Sequence, residues 1–144
     1  DLVISVALAD LIFADGFESG TLSAWSASTT DGGNLSVSAA ASLVLTRGLQ
    51  ALINDNNALY VTDNSPANEA RYRARFYFDP NTITMARNDN HSIFYGRTTA
   101  GTAILKVDFR FSGGQYQIQA SLLNDSTTFS STSWFTISDA PHPI

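Results

Sequence analysis

The sequence predicts an all-β chain folded as a two-sheet antiparallel β-sandwich of the jelly-roll type. Three observations carry this. Short segments alternate apolar and polar residues with a period of two, the spacing of a strand with one buried face. Clusters of Gly, Asn, Asp and Ser separate them at regular intervals. The 144-residue chain has one lysine, Lys106, and two glutamates, Glu18 and Glu69, whereas long surface helices draw on both types.

The elements follow in order. DLVISVALA, at the N-terminus, reads as a strand with Leu2, Ile4, Val6 and Leu8 on one face. It lacks a basic flank and is too short to be an intact leader or a membrane span. Residues 1–10 are therefore expected to form an N-terminal strand, donated to a neighbour or placed in the chain's own sheet. Residues 11–144 are expected to form the sandwich. IFADGFESG is a compact acidic turn, and TTDGGN is turn material. LSVSA and LVLTRGLQALI, the latter broken at Gly48, predict a hairpin followed by a loop; ALYVTDN predicts a short strand.

EARYRARFYFDP, residues 69–80, is the clearest alternation. Arg71, Arg73, Arg75 and Tyr77 share one face; Tyr72, Ala74, Phe76 and Phe78 share the other; Pro80 ends the run. SIFYGRTT continues the pattern. AILKVDFRFSGGQYQIQASLL reads as two strands around Gly113-Gly114, with Leu105, Val107, Phe109 and Phe111 forming an apolar row. A last strand spans about STSWFTI, and SDAPHPI reads as a loop because its prolines block pairing. His91 and His142 fall in expected loops.

The net charge of −5 and pI near 4.6 argue against nucleic-acid binding and against docking on anionic lipid. No apolar run reaches the length of a membrane helix. Without cysteine there is no disulfide framework and no thiolate metal site.

LIFADGFESGTLSAW, NNALYVTDNSPANEARYRARFYFDPNTITM and WFTISDAPHPI are similar to a domain of secreted and surface proteins from environmental bacteria. That group resembles the concanavalin A and laminin-G-like sandwiches. The resemblance implies a secreted or cell-surface location and the jelly-roll fold, and it implies no defined activity. Members of the group continue past the SDAPHPI tail into further strands. The resemblance thus implies a sandwich whose remaining strands either lie in a further part of the protein or are supplied by a partner.

Candidate sites fall into three groups. Asp15 and Glu18, with Asp139 or the loop of Asp79 and Asn81 as further oxygen donors, are candidate ligands for a structural calcium ion; the alternative is a turn whose carboxylates accept backbone N–H groups. Arg71, Arg73, Arg75, Tyr77, Tyr95, Lys106, Asp108, Arg110 and Gln117 are candidate ligand-binding residues. Their face is either laced by ion pairs, with Asp108, Glu69 and Asp79 as partners, or open to a polysaccharide or a neighbouring subunit. Leu2, Ile4, Val6 and Leu8 are candidate assembly residues. Trp25 and Trp134 read as packing residues.

No catalytic apparatus is legible. A glycosidase needs two facing carboxylates, and Asp108 has no second one clearly placed with it. No serine sits in a nucleophile elbow. The leading expectation is a non-enzymatic extracellular structural or adhesion module. It would assemble with copies of itself or another surface protein through strand exchange. A carbohydrate-binding module comes second and a glycan-active enzyme third.

Overall fold

The computed structural model describes residues 11–144. The expected assembly residues Leu2, Ile4, Val6 and Leu8 lie outside the described residues. The fold is all-β, made of several small antiparallel sheets. No sheet among the described residues closes into a sandwich or barrel. The chain divides into two compact units, with the boundary between Ala67 and Asn68.

The first unit holds β1 (Ala27–Thr29), β2 (Leu35–Ser38), β3 (Gly48–Ala51) and β4 (Tyr60–Thr62). β1 pairs with β4 and β2 with β3, both antiparallel. The predicted hairpin is present, but its second strand is shorter than the apolar run suggests. Val44 and Leu45 lie exposed in the bends before it. Gly48 begins β3 because a side chain there would fall inside the Ala41 carbonyl. Leu35 is the unit's fully buried apolar residue. Ahead of β1, the Trp25 ring packs on Phe13 at 4.6 Å and Phe17 at 6.0 Å between centroids.

The second unit holds β5 (Tyr77–Phe78), β6 (His91–Arg97), β7 (Ala103–Ser112), β8 (Gln115–Leu123), β9 (Phe129–Ser131), β10 (Phe135–Ile137) and β11 (His142–Pro143). β6, β7 and β8 pair in sequence, and β9 and β10 pair with successive stretches of β8, giving one five-stranded sheet. β7 and β8 meet at Gly113 and Gly114, with φ of 61° and 78°. Two successive positive φ values make the tight turn whose twist matches the strands, and glycine adopts them without a Cβ clash.

Register sorts the side chains of this sheet. Val107, Phe109 and Phe111, opposite Ala120, Ile118 and Tyr116, form the apolar face. Lys106, Asp108 and Arg110, opposite Ser121, Gln119 and Gln117, form the polar face. A β-bulge between Ser92 and Phe94 breaks the parity of β6. Ser92 therefore stands beside Asp108 on the polar face while Phe94 stands beside Val107 on the apolar one. Phe109 is 2% exposed, with Phe78 edge-on at 4.9 Å and Tyr116 stacked at 5.6 Å.

Three expectations need correcting. The segment 69–80 is not an eight-residue strand: only Tyr77–Phe78 pairs, with β11. Its alternation is nonetheless expressed as packing, because Tyr72 and Phe76 both stack on Phe94, at 6.2 and 5.7 Å. Periodicity reports which side chains share a face; it does not supply a hydrogen-bonding neighbour. The tail is not a plain loop. Phe76 and Ile144 exchange N–H···O=C bonds of 3.3 and 2.9 Å, and Pro143 falls at the intervening position. There a strand residue directs its N–H away from its partner, so the missing donor breaks no ladder bond. His91 and His142, expected in loops, begin β6 and β11.

Candidate functional site

The nine predicted ligand-binding residues do not form one surface. Tyr95, Lys106, Asp108, Arg110 and Gln117 share the polar face of the five-stranded sheet. Arg71, Arg73, Arg75 and Tyr77 belong to the segment whose rings pack on the apolar face, and alternation turns them outward. The sheet lies between the two sets.

The polar face is hydrogen-bonded to itself. Asp108, 3% exposed, accepts from the Ser92 hydroxyl at 2.5 Å and pairs with the Lys106 ammonium at 2.7 Å. Burial of a carboxylate is costly unless it is paired, and here two donors compensate it. The Lys106 ammonium also lies 5.2 Å from the centre of the Phe129 ring. Arg110 donates through Nε to the Gln117 side chain at 2.9 Å and lies under the Trp134 ring at 3.9 Å. Gln119 donates to the Thr132 carbonyl at 2.7 Å, and the Ser121 and Ser131 hydroxyls share a 2.8 Å bond. No buried side-chain polar atom among the described residues lacks a partner. This arrangement stiffens the sheet and leaves few free groups for a ligand. Tyr95 is the exposed exception, with the Arg97 guanidinium 4.5 Å from its ring centre.

Sequence reasoning missed Ser92, Phe129, Thr132 and Trp134 as members of this network. The bulge hides Ser92, since period two puts it on the face of Phe94. Trp134 is reached only because the chain leaves β9 and returns at β10.

The arginine row is the opposite case. Arg71, Arg73 and Arg75 are exposed. The ion pair of Lys106 with Asp108 is the one formed among the described residues, so Asp108, Glu69 and Asp79 do not pair with the row.

The Asp15 and Glu18 carboxylates accept hydrogen bonds, as the capping alternative describes. Asp15 accepts from the Phe17 N–H at 2.8 Å and the Trp25 indole N–H at 2.9 Å, which holds the ring over the turn. Glu18 accepts from the backbone N–H groups of Thr46 and Arg47, both at 3.0 Å, and from the Thr46 hydroxyl. That hydroxyl, with the two N–H groups and the Arg47 charge, holds the Glu18 carboxyl below its ordinary pKa against a smaller opposing effect of desolvation. Asp139 belongs to the second unit and accepts from the Thr82 N–H at 2.9 Å. Among the described residues no three His, Asp or Glu side chains gather as a metal site.

Comparison of the chain with family models, with curated proteins and with solved structures yields no match.

Proposed function

We propose that the chain is an extracellular structural or adhesion module of the β-sandwich class, joined into a larger surface assembly by strand addition. The observation that carries this reading is the outer edge of β6. Among the described residues no strand pairs with it. An open edge presents unpaired N–H and C=O groups and is a template for another strand. Bulges between Ser92 and Phe94 and between Gly96 and Arg97 confine its regular part to Phe94–Gly96. Sparse burial supports the same reading. Leu35 and Phe109 are the fully buried apolar residues among those described, while Leu122 and Phe135 on the sheet's apolar face stay 59% and 57% exposed. The rings of Phe76 and Phe78, packed on that face, support a second layer. Low lysine and glutamate content and absence of cysteine suit an exported module.

The donor strand of this reading is the apolar N-terminal segment with Leu2, Ile4, Val6 and Leu8. Size-exclusion chromatography with light scattering tests it on three proteins: the full chain, a chain lacking residues 1–9, and a Tyr95→Pro variant. Ser112 and Gln115 close the β7–β8 turn, so odd-numbered β7 residues bond to β6 and Tyr95, opposite Lys106, directs its N–H outward. Proline there blocks an added strand without breaking the β6–β7 ladder. The full chain should run as a multimer, and both variants as monomers that keep their β-sheet circular dichroism. A monomeric full chain, or variants that assemble as it does, would refute strand addition.

A further inference from the structure

We propose that Arg71, Arg73, Arg75 and Tyr77 form a linear binding stripe for an acidic, uronate-bearing polysaccharide. The stripe is set by the packing beneath it. Tyr72 and Phe76 both stack on Phe94, and Phe78 lies edge-on to Phe109, so these three rings lie against the sheet's apolar face. On an extended chain, alternation puts Arg71, Arg73, Arg75 and Tyr77 on the opposite side from these rings, and all four are exposed. Neighbouring members are about 6.5–7 Å apart along an extended chain.

Three of the chain's eight basic residues fall within positions 71–75, in a protein of net charge −5. Their guanidinium groups are exposed and make no ion pair or hydrogen bond among the described residues. Arg110 differs: its guanidinium is held by Gln117 and covered by Trp134. A row of like charges with no carboxylate between them is electrostatically unfavourable until anions arrive. Each guanidinium presents a planar fork that matches a carboxylate. The repetition favours a polymer with carboxylates at regular intervals on a stiff backbone. Such a ligand engages several arginines at once, whereas an acidic peptide must first be ordered. Tyr77, 43% exposed, continues the row and offers a ring face for a pyranose to stack on.

Affinity electrophoresis with polygalacturonate, polyglutamate and dextran tests the stripe. The full chain should bind polygalacturonate, with weakening as salt rises, and should not bind dextran. An Arg71→Gln, Arg73→Gln, Arg75→Gln variant should lose about tenfold or more of the affinity, from three exposed charge contacts. The single Arg73→Gln variant, which alters one exposed side chain, should move the same way by less. Tyr77→Ala should weaken polygalacturonate binding. Absence of polygalacturonate binding would overturn the proposal, as would glutamine variants that bind unchanged. Polyglutamate bound as tightly as polygalacturonate would assign the stripe to an acidic protein and overturn the glycan.

Discussion

Replacing Asp108 with alanine removes a carboxylate that is 3% exposed and held by two donors, the Ser92 hydroxyl at 2.5 Å and the Lys106 ammonium at 2.7 Å. A hydrogen bond to a charged group contributes about 1.5–3 kcal/mol. The ion pair adds less than a fully buried one, because the Lys106 side chain keeps 28% of its exposure and regains water when its partner is lost. The two effects share one carboxylate and do not simply add, so Asp108→Ala should cost about 2–4 kcal/mol. Asp108→Asn keeps an acceptor for Ser92 and should cost roughly half as much. The assay is urea unfolding of the full chain in a Trp25→Phe background, where Trp134, over Arg110 on the same face, reports on the second unit. With a slope of about 1–2 kcal/mol per molar, the Asp108→Ala midpoint should fall by about 1–4 M. A loss under about 0.5 kcal/mol would show that the carboxylate is solvated and would refute the buried network.

Two further substitutions probe the first unit. Gly48→Ala places a methyl group inside the Ala41 carbonyl, so β3 must move or its pairing with β2 must break. The cost should reach the upper part of the ~1–3 kcal/mol range for overpacking, read as loss of slow amide exchange at residues 35–38 and 48–51. Glu18 should titrate below the ordinary 4.5 by NMR, and Thr46→Val should return it toward that value. Because the folded pKa is depressed, the stabilisation from Glu18 is complete above about pH 4.5 and is lost as pH falls through the folded pKa. The Thr46→Val chain should therefore show a shallower acid limb in its stability profile.

Much of the sheet was legible in the residues. Gly113-Gly114 between two alternating runs specifies the β7–β8 hairpin, because two glycines accept the left-handed turn and the runs then pair in register. The same alternation placed Phe109 inside and Lys106 and Arg110 on the other face. The alternation over 69–80 is legible as the stacking of Tyr72 and Phe76 on Phe94, although that stretch is not a paired strand. The capping role of Asp15 and Glu18 was one of two readings open from the acidic turn, and the carboxylates do accept N–H donors from neighbouring backbone.

The sequence by itself determined the strand class, the tight β7–β8 turn and the faces of the side chains along β7 and β8, because these depend on local backbone chemistry and a period of two. Only the tertiary structure decided which side of the sheet each set of candidates occupies. The arginine segment packs its rings on the apolar face, so its guanidinium groups stand apart from Lys106, Asp108 and Arg110. It also decided that Asp108 pairs with Lys106 and Ser92, through a bulge that no periodicity reveals, and that Pro143 can join a ladder. Those outcomes depend on partners distant in the chain, and local pattern carries no information about them.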